Sequence, residues 1–185
     1  MIRIIVLFFA FLISISGQES GLQLTIGTEQ ITLGIDGVPR KLAVIAVTIS
    51  NPGDVPQSLV VGKDYNNADH WDVSVYLMNR DGTIILSRRV PRAVLITGNV
   101  GNVVIAIPAH GSYKTLLDAR DFEFVYPSSG TTNLAGFINA PGEQIQVMLY
   151  CGDVHPVPGA PVDPKAWKGI LVSDWLKPEN SDPNR

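Results

Sequence analysis

Residues 42–50 constrain the fold of this chain more than any other stretch. The segment reads LAVIAVTIS, carries no charge, is rich in β-branched side chains and is followed at once by an Asn-Pro-Gly-Asp turn at residues 51–54. Such a run predicts a β-strand that is covered on both faces at its start. Toward its end, Thr48 and Ser50 alternate with apolar residues, so only one face is expected to stay buried there. We therefore expect a central strand of a sheet.

Length and composition favour one all-β domain. The chain has 185 residues, of which 45% are hydrophobic and only 17% are charged, with 17 glycines and 13 prolines. Glycine and proline interrupt helices and favour short strands joined by turns. A chain of this length supports a single core. We predict one domain at residues 18–176, followed by a polar tail at residues 177–185.

The N-terminus predicts an export signal. Arg3 gives a positive start, residues 4–13 form an apolar run, and Ser14 and Ser16 are small residues suited to signal peptidase cleavage. The apolar run is shorter than the roughly 20 residues of a membrane-spanning helix. We expect residues 1–17 to be cleaved, which predicts a secreted or periplasmic protein with no membrane span after cleavage.

Alternating apolar residues predict further strands along the chain. Residues 22–26 and 31–35 are expected to form two short strands separated at Gly27, and residues 58–61 a brief edge strand. Residues 71–77 and 84–86 predict a hairpin around the Asn-Arg-Asp-Gly turn.

The second half of the chain is patterned less evenly. Two strands are expected at residues 93–97 and 103–107, a core strand at residues 145–149 and a last strand at residues 167–173. Between them, residues 118–124 suggest one or two helical turns and residues 128–132 a loop. Together these elements predict a two-sheet β-sandwich of about eight to ten short strands.

The order of these elements resembles immunoglobulin-like and fibronectin type III-like domains. The resemblance lies in the central strand with its Asn-Pro-Gly-Asp turn, in the turn at residues 108–112, and in the closing pattern Trp167-x-Gly169-x-Leu171-x-Ser173. It spans roughly residues 22–175 and implies an immunoglobulin-like sandwich. The chain departs from the family in having one cysteine, and in placing Tyr150 directly before it rather than two residues before.

The single cysteine leaves three possibilities open. Cys151 cannot form an intramolecular disulfide, so it is buried, paired with another chain or a ligand. Because His155 follows four residues later, Cys151, His155 and either His70 or His110 resemble the copper loop of cupredoxins, although no methionine follows that loop. The alternative is a small buried side chain. We predict no metal and no cofactor, with Cys151, His155 and His70 as the alternative metal site.

The remaining motifs favour a protein that is not an enzyme. The sequence has neither a G-x-S-x-G nor an H-E-x-x-H motif. Asp118, Asp121 and Glu123 lack the spacing of a calcium loop and predict a solvated face. Arg88, Arg89 and Arg92 indicate either an anion-binding patch or an edge strand protected by charge.

Binding is the function that these observations favour. We expect a protein or glycan partner at loops 62–70 and 152–165 or at an edge strand that accepts an added strand. Two tryptophans near the C-terminus could stack on a carbohydrate. A net charge of −3 makes a nucleic acid partner unfavourable. An alternative is an extracellular protease inhibitor that uses the proline-rich residues 154–164. The candidate binding residues are Tyr65, Asn66, Asn67, His70, His155, Trp167 and Trp175.

Overall fold

A computed structural model describes residues 21–35, 38–63, 69–70, 72–89, 101–126, 130–137, 142–151 and 165–177 of the chain. These residues form thirteen strands, a 3-10 helix at Ala119–Asp121 and a short helix α1 at Leu134–Phe137. The strands are β1 (Gln23–Ile35), β2 (Val38–Ser50), β3 (Gln57–Lys63), β4 (Asp69–His70), β5 (Asp72–Met78), β6 (Ile84–Leu86), β7 (Arg88–Arg89), β8 (Gly101–Ile107), β9 (Ser112–Asp118), β10 (Phe122–Tyr126), β11 (Gly130–Asn133), β12 (Gln144–Cys151) and β13 (Gly169–Val172).

The strands form four antiparallel sheets, which confirms the predicted all-β class. The first sheet has the order β1-β2-β9 and the second the order β13-β12-β5-β6. A third sheet, β4-β3-β8, and a fourth, β11-β10-β7, lie beside them. The described residues hold thirteen strands, more than the eight to ten that the sequence predicts, and three of them, β4, β6 and β7, span only two or three residues.

The central strand is covered as its sequence predicts. In β2, Val44, Ile45, Ala46 and Val47 are all buried, so both faces of the strand are covered at this point. After Val47 the pattern changes, because Thr48 and Ser50 are only half-buried. β2 also lies between β1 and β9 in the first sheet. The prediction of a central strand is confirmed.

One hydrophobic core joins the sheets. Inward-facing residues of β2 and of β12 are fully buried and belong to the same cluster. The first and second sheets therefore pack face to face, as in a β-sandwich. Side chains from the third and fourth sheets extend the cluster, notably Leu59, Ile107, Phe122 and Phe124.

Several predicted elements are wrong in detail. Residues 58–61 belong to β3, which lies between β4 and β8 rather than at an edge, and residues 130–132 belong to β11 rather than to a loop. Residues 23–35 form one strand rather than two, because β1 continues through Gly27 opposite Ala46 without a break in register. A side chain at Gly27 would meet no other atom within 4 Å, so neither a bulge nor a close approach requires this glycine. Residues 118–124 contain one helical turn, the 3-10 helix, as the shorter of the two predicted alternatives has it, but the strand β10 that follows from Phe122 is not predicted. Burial of Phe122 and Phe124 on one face explains the strand.

The hairpin of β5 and β6 is confirmed. The backbone N–H of Asn79 donates to the carbonyl of Thr83 at 2.9 Å, and Gly82 has a φ of +84° that favours glycine. Other predictions fall outside the described residues, namely the leader at 1–17, the strand at 93–97 and the tail from residue 178 onward.

A buried asparagine joins the end of β2 to the end of β8. The Nδ2 group of Asn51 donates to the carbonyls of Val55, Ile107 and Pro108, at 2.8, 3.3 and 3.1 Å. Its Oδ1 accepts a hydrogen bond from the N–H of Gly53 at 3.1 Å, which closes the turn after β2. Asn51 is 1% exposed, so these bonds satisfy groups that water does not reach.

Main-chain bonds complete the same junction. The N–H of Asn51 donates to the carbonyl of Gly111 at 2.9 Å, and the N–H of His110 donates to the carbonyl of Gly53 at 3.3 Å. The imidazole Nε2 of His110 also lies 3.0 Å from the carboxylate of Asp54. The turn that leaves the first sheet and the turn that re-enters it are therefore held together.

Substitution of Asn51 tests this junction. Asn51→Ala removes the donor to three carbonyls and the acceptor for Gly53, so the free energy of unfolding should fall by about 3 kcal/mol. Chemical denaturation followed by circular dichroism measures it. The matched control is Val55→Thr in the same turn, where the side chain is exposed and a change within about 0.5 kcal/mol is expected. An Asn51→Ala variant as stable as this control would contradict the assigned role.

Candidate functional site

An open groove lies where the first sheet meets the second. It has a volume of about 400 Å³ and runs between β1 and β13, each the edge strand of its sheet. Leu22, Leu24 and Leu171 are buried and form its floor, whereas the side chains of Ile170 and Val172 are exposed. The lining residues are Leu22, Gln23, Leu24, Thr25, Ile170, Leu171, Val172 and Asp174.

A buried serine positions β13 at this groove. The N–H of Ser173 donates to the carbonyl of Val147 at 2.9 Å, and its Oγ accepts from the N–H of Val147 at 3.0 Å. The Ser173 carbonyl accepts from the side-chain amide of Gln146 at 2.9 Å. After Ser173 the chain bulges by one residue, because the continued register would pair Ile145 with Trp175, whereas Ile145 pairs with Leu176. Ser173 thus ends the regular ladder and sets how far β13 reaches along the groove.

The main chain of β13 faces the groove at two residues. Since Ser173 bonds Val147, the alternation of an antiparallel ladder directs the backbone groups of Leu171 toward β12. The N–H and C=O groups of Ile170 and Val172 therefore point away from β12, toward β1.

The same alternation identifies the open edge of β1. Asn51 donates to Gly111, so odd-numbered residues of β2 bond β9 and even-numbered ones bond β1. The register places even residues of β2 opposite odd residues of β1, as in the pair Ser50 and Gln23. The even-numbered residues of β1 therefore direct their N–H and C=O groups away from the sheet. These residues are Leu24, Ile26, Thr28, Gln30 and Thr32.

β1 has few of the features that protect edge strands. Natural edges are commonly blocked by charges, prolines or bulges. β1 is thirteen residues long, contains no proline and keeps an unbroken register with β2. Its one charged residue is Glu29, whose carboxylate lies 2.6 Å from the ammonium of Lys114. Because Lys114 belongs to β9, Glu29 is held across the face of the sheet rather than along the edge.

Most of the predicted binding residues cannot be placed. Tyr65, Asn66, Asn67 and His155 lie outside the described residues, as does the side chain of His70. Trp167 is half-buried and packs against the hydrophobic core. Its main-chain N–H donates to the carbonyl of Ser58 at 2.7 Å. Trp175 is half-buried as well. The groove is lined by none of these residues.

Cys151 is a buried free thiol at the end of β12. Its side chain is 3% exposed, and burial raises the pKa of the thiol from 9.0 to about 11. Of the three possibilities that the sequence leaves open, the structure places Cys151 as a buried residue. The copper hypothesis stays a prediction, because His155 and the side chain of His70 are outside the described residues.

The charged clusters noted in the sequence have local partners. Asp118 caps the 3-10 helix by accepting from the N–H of Arg120 at 2.9 Å, and its carboxylate also binds the guanidinium of Arg120 at 2.6 Å. Arg88 lies opposite Glu123, in the strand β7 that forms an edge of the fourth sheet. This placement favours edge protection over an anion-binding patch, although Arg92 lies outside the described residues.

Two further properties concern only the described part of the chain. No group of three histidine, cysteine, aspartate or glutamate side chains there is arranged to hold a metal ion. The helices in that part have four residues or fewer, so none of them is long enough to cross a membrane.

Comparisons with protein families, curated proteins and solved structures find no match to this chain.

Amide hydrogen exchange tests the assignment of the open edge. We expect the amides of Ile26, Thr28 and Gln30 to exchange faster than those of Thr25, Gly27 and Glu29, because only the odd-numbered amides bond β2. NMR of the free chain measures both sets in one experiment. Equal protection along β1 would contradict the assignment.

The reactivity of Cys151 tests its burial. At about pH 8 the thiol should stay protonated and inaccessible, so a thiol reagent such as Ellman's reagent should label the chain only after unfolding in guanidinium chloride. Because the folded pKa is raised, the stability that the thiol contributes is present below pH 9.0 and is lost as the pH rises toward about 11.

The control for that titration is Cys151→Ala. Its free energy of unfolding should fall less steeply than that of the parent chain between pH 9.0 and about 11. Rapid labelling of the native chain, or identical slopes for the two proteins, would contradict the burial of the thiol.

Proposed function

We propose that this chain is an exported, non-catalytic binding module that accepts an extended segment of a partner protein along the edge of β1. The observation that carries the proposal is the long, regular edge of β1, which continues directly into the groove beside β13. Strand addition of this kind draws affinity from main-chain hydrogen bonds and selectivity from pockets for alternate side chains.

We further propose that the domain belongs to the immunoglobulin-like or fibronectin type III-like class. The orders β1-β2-β9 and β13-β12-β5-β6 support this, because they correspond to the A-B-E and G-F-C-C′ sheets of such sandwiches. On that correspondence β1 is strand A and β13 is strand G, the two strands at one open side of the sandwich. The third and fourth sheets are then additions to the common fold.

The groove defines what kind of segment would bind. A strand added to β1 would bond the main chain of Leu24, Ile26 and Thr28, and would bring one of its side chains over the groove floor. Because that floor is made of Leu22, Leu24 and Leu171, an apolar side chain fits there. The preferred partner segment is therefore extended, with apolar residues at alternate positions.

Export rests on the sequence of residues 1–17, which are outside the described residues. The protease-inhibitor hypothesis depends on residues 154–164, which are outside them too. No described residue favours the inhibitor or the copper hypothesis over strand addition, so both stay predictions.

A proline in the open edge tests strand addition. Peptides that bind the chain from residue 18 onward would first be selected from a displayed random library, and their affinities would then be measured by calorimetry. Thr28→Pro removes an edge N–H but no bond to β2, so the fold should persist, since proline is tolerated on edge strands. The affinity for the selected peptides should fall by about tenfold or more.

The matched control is Thr28→Val, which keeps the edge N–H and should bind within about twofold of the parent chain. Exchange protection gives a readout that needs no variant, because the even-numbered amides of β1 should become protected when a peptide is bound. Peptides that bind Thr28→Pro as well as Thr28→Val, or that protect no even-numbered amide, would refute the proposal.

A further inference from the structure

One charged side chain lines the groove between β1 and β13. Asp174 is the single charged residue among the eight that line this groove, and it is exposed. Within the part of the chain that the structure describes, its carboxylate forms no hydrogen bond and no ion pair. Its main chain is held, because the Asp174 carbonyl accepts a hydrogen bond from the Oγ of buried Ser173 at 2.9 Å. The carboxylate is therefore open to a cation that enters the groove.

The acidic residue of β1 is already neutralised. The carboxylate of Glu29 lies 2.6 Å from the ammonium of Lys114. A cationic side chain of a partner would have to displace Lys114 to bind Glu29, whereas at Asp174 no ion pair with a described residue has to be broken. Asp174 is thus the acidic group of the binding edge that a partner segment can use.

Apolar surface lies next to Asp174 along the chain. Val172 and Asp174 are both exposed and lie on either side of buried Ser173, so their Cα atoms are at most about 7 Å apart. Lysine and arginine lay their aliphatic stems on apolar surface while the charged end reaches a polar group. Such a side chain would cover Val172 and bring its charge to the carboxylate of Asp174.

We infer that the partner segment carries an arginine or a lysine within a few residues of the apolar side chain that covers the groove floor, and that Asp174 binds this cation. The inference rests on the proposed function, because it names the side chain that selects among extended segments. Arginine fits best, since a guanidinium can bond both oxygens of a carboxylate at once. The net charge of −3 also favours the approach of a basic segment.

Parallel selection of displayed peptides on two proteins tests this inference. The proteins are the chain from residue 18 onward, which is the parent, and its Asp174→Asn variant. Peptides that bind the parent and protect the even-numbered amides of β1 should be enriched in arginine or lysine near an apolar residue. Those selected on Asp174→Asn should show no such enrichment.

Affinities measured by calorimetry give the size of the effect. Peptides selected on the parent should bind Asp174→Asn about fivefold more weakly at low salt, as expected for one exposed ion pair. The difference should shrink as the salt concentration rises, because salt screens exposed charges. The side chain of Asp174 is exposed and the bond to Ser173 uses its main chain, so circular dichroism should show an unchanged fold.

The matched control is Asp72→Asn, which removes the same charge from an exposed position of the second sheet outside the groove. This variant should bind the selected peptides within about twofold of the parent. A charge reversal extends the test, since Asp174→Lys should select peptides with aspartate or glutamate in place of the basic residue.

Failure of the inference and failure of the proposed function give different results. Peptides that protect the β1 edge without any enrichment in basic residues, or that bind Asp174→Asn as tightly as Asp72→Asn, would overturn the inference and leave strand addition intact. A selection that yields no peptide able to protect the β1 edge would refute strand addition, and the inference with it.

Discussion

Asn51 joins the end of β2 to the end of β8 and to the turn that leads into β9, and the arrangement of the sheets depends on this junction. The chain leaves the first sheet at the end of β2, contributes strands to the other three sheets, the last of them β8 in the third sheet, and returns to the first sheet as β9. Asn51 bonds both crossing points, since its side chain reaches the end of β8 and its main chain meets Gly111 just before β9. Without it, the junction between the turn after β2 and the turn before β9 would keep only the bonds of His110 to Gly53 and Asp54. The direction of the open edge of β1 follows from the pairing of β2 with β9.

Strands whose burial depends on their own sequence could be predicted. The apolar run of β2 and the alternation of β12 each appear directly in the chain, and both strands are buried where the pattern places apolar residues. Elements that depend on distant neighbours were harder to predict. Gly27 suggests a break, yet in an edge strand a missing side chain costs little. The strand at Phe122 and Phe124 was missed because a polar stretch precedes it.

The candidate site could not be predicted for the same reason. Whether a strand becomes an edge depends on the order of the sheet, and that order is set by long-range pairing rather than by local pattern. Ile170 and Val172 illustrate this, since a Gly-Ile-Leu-Val segment is typical of a core strand but only Leu171 is buried. The candidates that the sequence indicates are polar and aromatic side chains, most of them in loops. An open edge presents main-chain groups instead, which have no signature in residue type.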